Sequence, residues 1–152
     1  MTLAVRPIAY DDVGVAAVLV RDGSLTPEAE RVDDVESYWA AVVETRARGG
    51  DVLVAQLDDD VVGVCQVMVF QHFQHAGGWC CELESVHVRG DLRNRGIGAA
   101  MLGAAEELAL ARGCYRMQLT SRNVRGDAHR FYLANGYVQT SQGFKKVLVV
   151  CI

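Results

Sequence analysis

Residues 82–102, ELESVHVRGDLRNRGIGAAML, run from a strand through a tight basic turn into a helix without a break. Leu83, Val86 and Val88 supply the apolar and β-branched residues of the strand. Arg89, Gly90 and Asp91 turn the chain, with glycine relieving the backbone. Arg93, Asn94, Arg95, Gly96, Ile97 and Gly98 then open a helix. Its apolar residues Ile97, Met101, Leu102, Ala105, Leu108 and Ala109 share one face, and Gly113 ends it. The first N–H groups of such a helix have no partner inside it, and its dipole favours negative charge there. Gly96 and Gly98 lack Cβ, so an anion can approach the main chain. Arg93 and Arg95 add positive charge.

The rest of the chain narrows the anion. Net charge is −4, so the molecule as a whole is not built to coat nucleic acid. Basic character is local, at Arg89, Arg93 and Arg95, which suits one small polyanionic ligand better than a duplex. The 152 residues fit one domain, 1–152, with a core of real size. With 51% hydrophobic and 22% charged residues, the composition is globular and not disordered. Met1 to Ile8 contains Arg6 and Pro7 and lacks the long apolar core of a signal peptide. No run approaches the roughly 18 apolar residues of a membrane span, so no membrane partner is expected. Cys65, Cys80, Cys81, Cys114 and Cys151 are odd in number, and the adjacent Cys80-Cys81 makes a poor disulfide framework. Reduced, mostly buried thiols in a cytoplasmic protein are expected.

In chain order, Leu3 to Ile8 reads as a strand, and Asp11 or Asp12 caps a helix to about Arg21. Thr26-Pro27-Glu28 resembles a helix start, and the second helix, interrupted near 31–34, ends at Arg48-Gly49-Gly50. Strands at 51–57 and 61–73 flank an aspartate turn as a hairpin. After a polar loop at 71–78 and the strand at 79–88 come the helix, a strand at 114–120 and a short helix at 128–135. The strand-helix-strand unit implies parallel pairing. Tyr137 to Thr140 and Phe144 to Val150 read as a closing pair of strands. The expectation is an α/β domain with a mixed, mostly antiparallel sheet of seven strands and four helices on both faces.

Two glycine motifs are excluded. A dinucleotide fingerprint needs a small residue three positions after Gly98, where this chain has Met101. A phosphate loop needs Gly-Lys-Ser/Thr, which is absent. What remains is Arg-x-x-Gly-x-Gly at Arg93, Gly96 and Gly98, preceded by Glu84-Ser85-Val86-His87-Val88. Downstream lies Ala-His-Arg-Phe-Tyr-x-x-x-Gly-Tyr from Ala128 to Tyr137. Together these motifs resemble the GNAT superfamily of acetyl-CoA-dependent N-acetyltransferases. The tail from Asp127 most resembles the aminoalkylphosphonate N-acetyltransferases and related bacterial small-molecule members.

The resemblance implies a GNAT fold and a direct transfer from acetyl-CoA, the cosubstrate, to a primary amine of a small molecule. Arg93, Asn94, Arg95, Gly96, Ile97, Gly98 and Ala99 would hold the pyrophosphate of coenzyme A. Val86, His87 and Val88 would pair with the pantetheine arm like an added strand. Tyr132 occupies the position of the general acid that protonates the thiolate. Glu84 occupies the position of a carboxylate that removes the amine proton, directly or through water. Many members carry an asparagine seven residues before the tyrosine; here that residue is Arg125, and Asn123 is the nearest asparagine. Asn123 is taken as the coenzyme contact, with Arg125 as the alternative. The chemistry wants such groups independently: an alkylamine with a pKa of about 10.4 must lose a proton before it attacks. Glu82 and Glu84 share a strand face, and their repulsion would raise one pKa.

His72, His75, Cys80, Cys81 and His87 form no recognised zinc frame, and no metal is expected. His72 and His75 either line the acceptor pocket or are solvated. Two alternatives stay open: a peptide or protein N-acetyltransferase with an open groove, and a non-catalytic acyl-CoA-binding module. The apolar run from Phe144 to Ile152, and dimerisation in the resembled family, leave a homodimer open.

Overall fold

The computed structural model describes residues 1–149. The chain divides into two compact units, Met1–Gln118 and Leu119–Ile152.

The first unit is built on a sheet of five strands in the order β1-β2-β3-β4-β5. The strands are β1 (Leu3–Pro7), β2 (Asp51–Leu57), β3 (Asp60–Gln71), β4 (Trp79–Val88) and β5 (Cys114–Gln118). The first four pair antiparallel in succession. β5 follows helix α4 (Ile97–Ala111) and pairs parallel to β4, as a strand-helix-strand unit requires. Helices α1 (Val13–Gly23) and α2 (Val35–Ala47) cover one face. There Ile8, Val13, Ala16, Leu19, Val42, Val54 and Val64 form a buried cluster. α4 covers the other face. A Cβ on Gly63, which lies beside Val64 and points the opposite way, would stand 2.9 Å from Met101 Sδ, so the glycine lets α4 seat closely on β3.

Asp12 precedes α1, but its carboxylate does not cap that helix. It accepts two bonds from Arg6, from Nη1 at 2.7 Å and Nη2 at 3.1 Å, and a third from the Ala9 N–H at 2.8 Å. The carboxylate therefore ties the end of β1 to the start of α1. The Arg6 hydrogen bond holds the Asp12 carboxyl below its usual range. A depressed pKa stabilises the fold above the unfolded value of about 3.9, and the contribution is lost as pH falls through the folded value. Asp12→Asn is expected to cost about 1 kcal/mol at pH 7, discounted for screening at the part-exposed Arg6, and to lower Tm by a few degrees. That gap should shrink below about pH 4, as thermal melts across pH will read.

The sheet differs from the expected seven strands. Residues 137–149 form no strand, and Val150 lies outside the described residues. Their apolar residues, Phe144 and the run Val147-Leu148-Val149, state a demand for burial, but a strand also needs a ladder partner for its N–H and C=O groups. Phe144 is 92% exposed and Leu148 84%, so the demand is unmet among the described residues. The loop at 71–78 also holds an unexpected short turn, α3 (Gln74–Gly77), in which His75 and Ala76 are left-handed and not right-handed helical. The second unit contains α5 (Gly126–Ala134), two residues earlier than its apolar pattern suggested.

Candidate active site

β4 carries the site in the first unit. Its pairing with β5 stops at Glu82 opposite Gln118, while its pairing with β3 continues to Val88. From Leu83 onward β4 therefore has, among the described residues, a ladder on the β3 side alone. Between Glu84 and His87 the register slips: Gln66 faces Glu84 and Val64 faces His87, so Cys65 stands opposite both Ser85 and Val86. Ser85 takes up the extra residue with φ of 53°, a left-handed conformation unusual for serine. The bulge bends β4 beside Glu84, where the second ladder has ended.

Registered partners share a face. Gln66, Met68 and Phe70 of β3 stand level with Glu84, Glu82 and Cys80 of β4. Arg116 and Gln118 of β5 are level with Cys80 and Glu82. Gln66 Nε2 donates to Thr45 Oγ1 at 2.9 Å, which identifies this as the α2 face. Met68 is exposed there, and Glu84 is exposed beside the bulge. The expectation that Glu82 and Glu84 share a face holds. Val86, His87 and Val88 follow the bulge, half-buried. The His87 ring lies against the backbone at the end of α1, where a Cβ on Gly23 would meet Nδ1 at 2.2 Å. His87 is thus a packed residue.

Beyond β4, Arg89 Nε pairs with Asp91 at 2.7 Å, which occupies that arginine. Arg93 and Arg95 are exposed and make no ion pair among the described residues. Asn94 (φ 62°) and Gly96 (φ 82°) both turn left-handed, and Gly96 caps α4. The Ala100 N–H donates to the Gly96 carbonyl at 3.0 Å, closing the first turn of α4. The N–H groups of Ile97, Gly98 and Ala99 precede that bond and point out along the axis. An anion there would meet three amides, the positive end of a 15-residue helix and two unpaired guanidinium groups.

Tyr132 and Asn123 belong to the second unit. Tyr132 lies on α5, its ring centroid 5.3 Å from that of Phe131 and 5.7 Å from that of Tyr137. The Tyr137 N–H donates to the Tyr132 carbonyl at 3.1 Å and helps close the helix. Asn123 is exposed in the turn before α5, and Arg125 caps the helix through its backbone.

Cysteine chemistry has no place at the site. Cys65, Cys80 and Cys81 are buried, and the four described cysteines are free thiols. Burial pushes Cys65 and Cys81 up to about 12, which suppresses the nucleophilic thiolate. The described residues contain no group of three or more His, Cys, Asp or Glu placed to hold a metal ion. Among them no helix is long and apolar enough to cross a membrane. The sequence reading missed the left-handed Ser85 and the companions of Glu84 on its face, Gln66, Met68 and Arg116. Strand alternation was the signal for the latter, but it needed a register.

An aminoalkylphosphonate N-acetyltransferase of Salmonella typhimurium is 36% identical over 95 residues, 62% of this chain. The chain spans 61% of that curated relative's length. Among solved structures, a transcriptional regulator from Bacillus halodurans C-125 superimposes with a TM-score of 0.88 at 28% identity, covering 97% of this chain and 100% of that one. The aminoglycoside N-acetyltransferase AAC(6')-Iy in complex with CoA shares the fold at a TM-score of 0.82 and 15% identity, covering 97% and 96% of the two chains. The Acetyltransferase (GNAT) family matches residues 18–137, which takes in β4, the turn into α4 and the α5 motif. The chain therefore belongs to the acetyltransferase (GNAT) family.

Proposed function

We propose that residues 1–152 form one cytoplasmic N-acetyltransferase domain that transfers the acetyl group of acetyl-CoA to a primary amine of a small molecule. The observation that carries this reading is the opening of β4. Its second ladder ends at Glu82, the backbone bulges at Ser85, and Glu84 stands exposed at that point. A strand side with no ladder among the described residues suits an extended ligand held by main-chain hydrogen bonds, here the pantetheine arm along Val86, His87 and Val88. The turn from Arg93 to Ala99 suits its pyrophosphate. Asn123 is the proposed contact from the turn before α5.

The reaction removes two protons from nitrogen and supplies one to sulfur. The ammonium gives its first proton to Glu84, directly or through water, and the free amine attacks the thioester carbonyl. The N–H near Val86 steadies the charge that develops on oxygen. The C–S bond breaks, the departing thiolate takes a proton from Tyr132, and the second proton leaves the new amide nitrogen and restores the phenol through water. The named activity of the Salmonella relative supports a small amine as acceptor. Self-association through the exposed Phe144, Val147, Leu148 and Val149 belongs to the same proposal.

Thiol release from acetyl-CoA tests it, against simple amines, aminoalkylphosphonates, aminoglycosides and basic peptides. A small amine is expected to raise release at least about a hundredfold over the acceptor-free rate, the lower end of general acid–base catalysis. Turnover with peptides alone moves the acceptor to the macromolecular class. Tight coenzyme binding without turnover on any acceptor leaves a binding module.

A further inference from the structure

At the far end of β4 from the bulge, four side chains gather that the proposed chemistry does not use. His72 Nδ1 lies 2.5 Å from Tyr115 Oη. The His75 and Tyr115 ring centroids are 4.7 Å apart, and those of His72 and His75 are 6.3 Å apart. The Arg116 guanidinium carbon sits 5.3 Å from the centre of the Tyr115 ring. This placement is built. A Cβ on Gly78 would stand 2.9 Å from Tyr115 Cδ1, so the ring seats only against glycine. His75 and Ala76 are both left-handed, at φ 51° and 52°, a costly backbone held in the loop that presents His75.

We propose that His72, His75, Tyr115 and Arg116 form a subsite for an anionic group, phosphate or carboxylate, carried by the acceptor. This rests on the transferase reading above. When Tyr115 donates its hydroxyl proton to His72 Nδ1, His72 Nε2 carries the remaining ring proton and becomes a donor. Arg116 has no carboxylate partner among the described residues and offers a planar fork that matches phosphate or carboxylate oxygens. His75 and Tyr115 are exposed, so a solute reaches the cluster.

The register sets a length. Arg116 and Phe70 are level with Cys80, four positions before Glu84. At roughly 3.3 Å per residue the two ends lie about 13 Å apart along β4. The occupant is therefore an amine whose anionic group is held about 13 Å away by a long or ring-shaped spacer. A two-carbon aminoalkylphosphonate is too short to span both.

The test has two arms. Inorganic phosphate is titrated into the protein while the imidazole resonances of His72 and His75 are followed by NMR. Saturable shifts are expected, weakened about tenfold in Arg116→Ala. In the second arm, kcat/KM is compared for a long aminoalkyl phosphate, its carboxylate counterpart, its uncharged isologue and aminoethylphosphonate. The long anionic amines should lead the isologue by about tenfold, through KM, and that ratio should collapse in Arg116→Ala and in the double variant His72→Ala/His75→Ala. Which anion leads identifies the group. Unmoved imidazole signals, or equal use of charged and uncharged acceptors, overturn the subsite. Failure of every acceptor removes the transferase reading, and the phosphate titration still decides the subsite.

Discussion

Gly96→Val is expected to weaken coenzyme A binding by at least about tenfold. Gly96 sits at φ 82° as the cap of α4. An L-residue there costs roughly 1–2 kcal/mol, and a β-branched one more. A Cβ at Gly96 meets nothing within 4 Å, so no steric clash unfolds the protein. The turn instead escapes its strain by leaving the left-handed region. That rotation redirects the N–H groups of Ile97, Gly98 and Ala99 away from a common point. About 1.4 kcal/mol of lost anion binding is a factor of ten. Gly96→Asn separates strain from bulk, because asparagine tolerates the left-handed region. The asparagine variant should keep most of the affinity while the valine variant loses it, both with wild-type circular dichroism. Calorimetry showing equal affinities for valine and wild type would remove the turn from coenzyme binding.

The anion turn was legible because its parts are local. A β-branched strand, a glycine pair and a helical apolar face each follow from neighbouring residues, and the structure forms all three between Trp79 and Ala111. The antiparallel hairpin of β2 and β3 was legible for the same reason. The closing strands were not. Phe144 to Val149 has the composition of a strand, yet a ladder depends on a partner distant in sequence, which composition does not supply. Asp11 or Asp12 was read as a cap on type and position, and Asp12 instead takes two charge-assisted bonds from Arg6. Ser85 gave no sign of its left-handed backbone, since the bulge arises from a one-residue mismatch between β3 and β4. Arg116 stayed unremarked because only the parallel register of β5 sets it level with Cys80. Local chemistry was readable from the chain, and long-range register was not.

Tyr132→Phe is the sharper test of chemistry, since it removes one oxygen and leaves the packing. The ring keeps its neighbours Phe131 and Tyr137, with which it makes tilted and edge contacts. Stability should therefore change little. What is lost is a proton donor. A phenol of pKa near 10 holds its proton at neutral pH, and a thiolate leaving group of pKa near 8.5 is poorly protonated by water alone at the instant of bond cleavage. General acid catalysis contributes about 10²–10⁴-fold, so kcat should fall by well over tenfold. Coenzyme affinity by calorimetry should stay within about twofold, because the hydroxyl acts on the thiolate that forms and not on the bound thioester. Turnover within twofold of wild type would assign the proton to another donor and leave Tyr132 a packed aromatic on α5.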